Sequence, residues 1–297
     1  MFFFFFLFLN KDPSYMSFVI CPISVVPIRS SASDKSEQVS QLLFGEMAEI
    51  LERKGQTWVK VRCDWDNYIG WVATHQLQAI TPSELKLFRR QFAFNLDLLQ
   101  PVISEEGPIP IPLGARLPTF DGMKFELAGK RFLYSGQGVF PENIQATADM
   151  AIKIARRYLF APYQHGGRSP LGIDSAGLSQ MVFQLLGIQL EREAAAQVLQ
   201  GETVDFVEQA APGDLAFFEN RKGRVDHVGM ILPDNQILHA FGRVRIDRLD
   251  HYGIFDESAQ KYTHNLRIIR RMLPAEAATD QQSARERSSV SQQFEIF

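Results

Sequence analysis

Cysteine is scarce: Cys21 and Cys63 are the only two in 297 residues. A disulfide scaffold is thereby excluded, and two buried free thiols are expected rather than one bridge. An excess of charge of one sign is also missing. Lys and Arg number 31 against 34 Asp and Glu, the net charge is −3, and basic residues form no long run. Neither nucleic acid nor an anionic membrane is an expected partner. The apolar start, MFFFFFLFL, is far shorter than the ~20 residues of a spanning helix, so no integral membrane segment is expected. No basic stretch precedes it and no clear small-residue cleavage site follows it. Residues 1–16 therefore read as an extension upstream of the native start or as a degenerate export signal. No His-Glu-x-x-His helix and no paired cysteines are present, so no metal and no other cofactor is expected, at Asp226, His227 and His239 or elsewhere. Gly166-Gly167 lacks the Lys-Ser/Thr of a phosphate loop and suits a tight turn instead. A Gly-x-Ser-x-Gly elbow would need glycine where Ile173 stands.

The 45% hydrophobic content supports the cores of two or three domains. Residues 17–80 carry short β-rich runs, Met47–Leu51, Trp58–Arg62 and Ile69–Val72, broken by turns at 54–56 and 64–67, the pattern of a small β-barrel. Residues 81–145 read as a connector with a short amphipathic helix, then a second small β module whose prolines restrict it to edge strands and turns. Beyond 146 the texture changes. Apolar spacing predicts a helix over Ala146–Phe160, ended by Pro162, and a second over Ser175–Leu186, stopped by Gly187. Strand-like runs follow at Asp214–Phe218, His227–Leu232, Gln236–Ala240 and Leu266–Arg270, so 146–273 reads as an α+β domain with helices packed on an antiparallel sheet. The polar stretch 274–297 reads as a disordered tail.

Acyl transfer needs a nucleophile, a base within reach and a group that orients the base. Ser175 opens a helix, where free N–H groups and the positive dipole end favour an oxyanion. His227 begins one strand and His239 ends the next, twelve residues on, so adjacent antiparallel strands can set the two imidazoles side by side. The plain reading stands beside this one: Asp174 and Ser175 are both preferred helix caps. His165, His251 and His264 read as ordinary loop or partly buried histidines, with His165 beside the cleft able to reshape it.

Pro162-Tyr-Gln-His-Gly-Gly167, Gly172-Ile-Asp-Ser-Ala-Gly177, Pro212-Gly-Asp-Leu-Ala-Phe-Phe218, Asp226-His-Val-Gly-Met230 and Ile237-Leu-His-Ala240 resemble, in order, the NlpC/P60 family of papain-like cysteine peptidases that cut murein peptides. Val25-Val-Pro-Ile-Arg29, Leu43–Glu46, Trp58–Val61 and Tyr68-Ile-Gly-Trp-Val72 resemble a bacterial SH3 domain, an arrangement like that of γ-D-glutamyl-L-diamino acid endopeptidases. By that resemblance His227 is the base and His239 orients it, while Tyr163 and Asp174 flank the amino group of a murein-derived peptide and Tyr68 helps close the pocket. The departures are Ser175 at the nucleophilic Cys position, Ala176 at the following Ser position, and His165 where an aromatic residue is usual. The resemblance implies a homologue with hydrolysis lost or strongly impaired and peptide binding retained. The alternatives are an active hydrolase using Ser175, His227 and His239, or an interaction protein dominated by its SH3-like modules. The compartment stays open between cytoplasm and the periplasm or cell envelope of a bacterium.

Overall fold

The computed structural model describes residues 17–274; the expectations for residues 1–16 and for the tail lie outside them. Strands β1 (Phe18–Ile20), β2 (Val25–Arg29), β3 (Gln38–Leu43), β4 (Met47–Lys54), β5 (Trp58–Cys63), β6 (Ile69–Ala73) and β7 (Gln78–Ile80) form one antiparallel sheet in the order β3-β2-β6-β5-β4-β1-β7. Alternation along β5 turns Val59, Val61 and Cys63 inward. They pack with Val26, Ile28 and Val72 around a small core. Cys21 and Cys63 are both free and buried.

Helix α1 (Pro82–Arg90) opens with a full capping box between Thr81 and Glu84. After it come β8 (Phe92–Asn95), β9 (Leu99–Ser104), β10 (Gly107–Pro112), β11 (Arg116–Pro118), β12 (Lys124–Leu127), β13 (Lys130–Tyr134) and β14 (Gly138–Val139). They form two small sheets, β10-β9-β13-β12 and β11-β8-β14. The prolines of β10 lie on an edge, where a missing N–H costs no ladder bond. Pro101 sits inside the sheet on β9, but opposite Pro110 and beyond the pairing with β13. The core here is shared with the preceding sheet: Phe44 meets Phe125 and Phe132 edge-on at 5.9 and 5.8 Å, and Ile20, Met47 and Ile80 join the same cluster.

The last part holds α2 (Ala148–Arg157), β15 (Arg168–Ser169), β16 (Gly172–Ile173), α3 (Ser175–Leu185), α4 (Ala194–Gln197), β17 (Glu202–Val204), β18 (Leu215–Glu219), β19 (Val225–Leu232), β20 (Gln236–Phe241), β21 (Arg243–Leu249), β22 (Gly253–Asp256) and β23 (Lys261–Arg271). Helix α2 is shorter than its apolar spacing predicts. Tyr158 is its C-cap and Phe160 turns to φ +70°, so the helix ends before Pro162 has any part in it. The sheet is antiparallel, as expected, but it does not stay open. Strand β23 pairs with both β18 and β22, closing β18–β23 into a six-stranded barrel with β17 added outside β23. Ile231, Ile237, Leu249, Ile254 and Ile269 form one cluster. Val228, Met230, Leu232, Leu238 and Ala240 alternate with them on the opposite face and join the helices' core. Every residue of α3 is buried, as befits a helix wrapped by other elements.

Charged groups also bridge the first sheet and the last part. Arg168 donates to Glu46 at 2.7 and 3.0 Å and to Gln184 at 2.6 Å, with both charged side chains about 95% buried. Burial opposes ionisation of Glu46, but the Arg168 charge outweighs it and holds the carboxyl below its usual range.

Candidate active site

Asp174 is the N-cap of α3 and accepts from the Gly177 N–H at 2.6 Å. Its other oxygen accepts from the Gly166 N–H at 2.8 Å. Gly166 has φ +72°, and a Cβ there would lie 2.5 Å from the Gln38 carbonyl oxygen, so only glycine fits this turn. Arg192 then clamps the same carboxylate through two bonds of 3.0 and 2.7 Å. No local sequence pattern marks Arg192; long-range packing brings it here.

Ser175 follows at the first position of α3 and Ala176 at the second, both nearly buried. The N–H groups of this first turn have no helical partner. A cleft of about 310 Å³ opens over them. The segment of the first sheet contributes Val39 from β3 and the loop residues Glu37 and Tyr68, and the last part contributes Tyr163, His165, Asp174, Ser175, Ala176, Arg192, Glu193 and Asp226. Of the residues expected at the site, Tyr68, Tyr163, His165, Asp174, Ser175 and Ala176 line this cleft, together with Glu37, Arg192 and Glu193, whereas His227 and His239 are not part of its lining. The Tyr68 hydroxyl donates to Glu193 at 3.0 Å across the two parts. His165 faces Glu37 at 3.0 Å. Burial, then the Asp174 charge, raises the Tyr163 phenol above its usual value.

His227 and His239 lie on neighbouring strands. Gly229 pairs with His239, so His227 is the diagonal neighbour on the same face. His227 Nε2 and His239 Nδ1 are 2.9 Å apart. Strand β21 continues the row: His239 pairs with Arg245, and Asp247, two residues on, places Oδ2 2.9 Å from His239 Nε2. Arg245 holds the other Asp247 oxygen at 2.6 Å and reaches Asp256 at 3.1 Å. Burial opposes ionisation of Asp247, but the bonds from His239 and Arg245 keep its carboxyl below the usual range. A separate cavity of about 390 Å³ borders Arg245 and Asp247 and shares no lining residue with the cleft.

His264 is partly buried, as one of its two readings has it. It lies in β23, not a loop, and stacks on His227 with ring centroids 4.0 Å apart. Burial and the neighbouring imidazoles push His227 well below the ordinary histidine range, and burial, then His239, pushes His264 down to about 4. Nitrogens of His227, His239 and His264 lie within 4.8 Å of one another. Two of them, however, already face each other in the 2.9 Å contact, so their lone pairs do not converge on a common point.

Among the described residues Ser175 and His227 share no hydrogen bond; a void of about 10 Å³ connects Ser175 to β19 beside Val228. Catalytic contacts of this kind commonly tighten only around a substrate. Also among the described residues, no helix is long and apolar enough to cross a membrane.

The NlpC/P60 family profile matches residues 161–264, and the bacterial dipeptidyl-peptidase SH3 domain profile matches 28–77. The chain is 28% identical over 218 residues to the γ-D-glutamyl-L-lysine dipeptidyl-peptidase of Bacillus subtilis (strain 168), covering 68% of this chain and 71% of that protein. It is 26% identical over 243 residues to dipeptidyl-peptidase 6 of Lysinibacillus sphaericus, covering 72% and 85%. The crystal structure of an NlpC/P60 family protein from Bacillus cereus superposes with a TM-score of 0.74 at 21% identity, over 87% of this chain and all of that one, a likeness of fold. The chain therefore carries an NlpC/P60 family domain, matched over residues 161–264, behind a bacterial SH3 domain matched over residues 28–77.

Proposed function

We propose that this protein is a homologue of murein-peptide endopeptidases that binds L-Ala-γ-D-Glu-diamino acid peptides and has lost most or all of their hydrolytic rate. We divide it into an SH3 domain (17–80), a second small β module (81–145) and a papain-like peptidase domain (146–273). The observation that carries the reading is the mouth itself, where a serine stands at the head of α3 in an otherwise furnished cleft. A thiol of pKa ~8.5 can be held as thiolate by a helix N-terminus and an imidazolium. A serine hydroxyl is far less acidic and needs its proton removed during attack. The void beside Ser175, lined by Leu178, Val182, Val228 and Met230, suits a side-chain atom larger than oxygen. Glu37, Glu193 and Asp226 lend the cleft a negative field that favours the ammonium group of a free N-terminal L-Ala, with Tyr68 and Tyr163 as walls.

The ordered His227–His239–Asp247 row favours a second reading, an active hydrolase with Ser175 as nucleophile. Calorimetric titration with L-Ala-γ-D-Glu-diaminopimelate, followed by product analysis, separates the two. Binding without cleavage is the expected result. Turnover that disappears in Ser175→Ala would replace the first reading with the second, and absence of binding would overturn both.

A further inference from the structure

We propose that Asp247, held by Arg245, is a positioning residue that decides which nitrogen of His227 carries the proton, leaving Nδ1 as the bare one. The proposal rests on the reading of His227 as the base, and it concerns a residue two strands away from it.

With both imidazoles neutral, the row of contacts has a single consistent proton order. The Asp247 carboxylate has no proton to give, so His239 Nε2 donates to Oδ2 across 2.9 Å. A neutral His239 then presents a bare Nδ1, which accepts from His227 Nε2–H across 2.9 Å. The one proton of a neutral His227 is therefore on Nε2. Its Nδ1 is then the one ring lone pair left free to take a proton. Stacking of His264 on His227 at 4.0 Å sets the ring plane without using either nitrogen of His227.

Arg245 makes the order directional. It donates to Asp247 Oδ1 at 2.6 Å, and a guanidinium can only donate. If Asp247 is replaced by Asn, Arg245 claims the amide oxygen and the NH2 group is turned onto His239 Nε2. That nitrogen must now accept, so the His239 proton moves to Nδ1 and is donated to His227 Nε2. The His227 proton is displaced to Nδ1, and the base is blocked. Each ring keeps one proton throughout; only the nitrogen that bears it changes. The alternating positions that carry this row, 227 and 229 on β19, 239 on β20 and 245 and 247 on β21, place it on a single face, so a register slip in any strand would break it.

The test is nitrogen-15 NMR of the histidine side chains in the full chain. Wild type is expected to show His227 protonated at Nε2, and Asp247→Asn to show it protonated at Nδ1. Adding Arg245→Met to Asp247→Asn frees the amide to turn and restores a population with the original tautomer, an outcome that a merely structural role of Asp247 would not produce. In the Ser175→Cys background, Asp247→Asn should lower hydrolysis of L-Ala-γ-D-Glu-diaminopimelate about 10³- to 10⁴-fold, the scale seen when a wrong tautomer is imposed on a catalytic histidine. Asp247→Glu should recover part of it, with the alkaline plateau of the pH profile retained. An unchanged His227 tautomer in Asp247→Asn, or a rate within about threefold of the Ser175→Cys parent, would overturn the proposal. Should Ser175→Cys hydrolyse nothing, the reading of His227 as a base fails, and the tautomer spectra still decide the role of Asp247.

Discussion

Replacing Arg168 by Met keeps much of the side chain's bulk and removes its charge. Four contacts go with the guanidinium: two to Glu46, one to Gln184 and one to the Gln41 carbonyl, all between 2.6 and 3.0 Å. Glu46 keeps the Leu43 N–H at 2.9 Å and the Gln184 amide at 3.0 Å, so it is not stripped bare. It is, however, a buried carboxylate without its direct counter-ion, and breaking such a pair costs about 3–5 kcal/mol. The cost depends on pH in a defined direction. In wild type the folded pKa of Glu46 is depressed, so its contribution is present above the unfolded value of about 4.3 and is lost as pH falls through the folded one. Without Arg168, burial dominates and the folded pKa rises above the unfolded value. Ionisation then works against folding as pH rises. The deficit of Arg168→Met relative to wild type should accordingly be small near about pH 4 and reach its full size by about pH 7. Urea titration reports it through Trp58, Trp65 and Trp71, the only three tryptophans, all in the segment that carries Glu46. A deficit below about 1 kcal/mol at neutral pH, or one that ignores pH, would refute the reasoning. So would a double variant, Glu46→Leu with Arg168→Met, that is less stable than Arg168→Met alone.

Other outcomes follow from the site. Asp174→Ala removes the α3 cap and leaves Arg192 buried without its carboxylate, so the melting temperature should fall by an amount equivalent to about 3 kcal/mol or more; a shift of a degree or two would contradict the assignment. His264 is depressed to about 4, below the ordinary 6.5 of an unfolded histidine. Its contribution to stability is therefore present above that value and lost as pH falls toward 4, and His264→Phe should flatten the melting temperature between those pH values. Tyr68→Phe deletes the bond to Glu193 and should weaken peptide binding about fivefold with an unchanged melt; equal affinity would remove Tyr68 from the site.

The sequence made the two histidines legible because alternation is local: strands at His227–Leu232 and Gln236–Ala240 separated by a short turn leave few registers, and the observed one makes 227 and 239 diagonal neighbours. Helix α3 was legible from its cap and apolar spacing. Asp247 and His264 were not: Asp247 stands on the charged side of β21, which reads as a solvent face, and His264 lies ahead of the Leu266–Arg270 run that marks β23. Arg243–Leu249 carries four charges in seven residues, and it is the closure of β22 onto β23 that sets His264 opposite Ile254. Glu37 comes to the cleft from the first sheet's segment and Arg192 from the loop after α3, a matter of tertiary packing that no sequence motif marks. The overlong expectation for α2 has a similar cause: Tyr158 and Leu159 continue the apolar spacing, but they are held by the turn through Phe160, whose N–H is bonded to the Val244 carbonyl at 2.9 Å.

The account stands or falls on the atom at the head of α3. Ser175→Cys, assayed beside wild type for release of L-Ala-γ-D-Glu from its diaminopimelate conjugate, should raise the rate at least about 10²-fold, or some 2.7 kcal/mol of barrier. Equal rates in the two proteins, whether both slow or both fast, would contradict the claim that oxygen in place of sulfur is what silences this cleft.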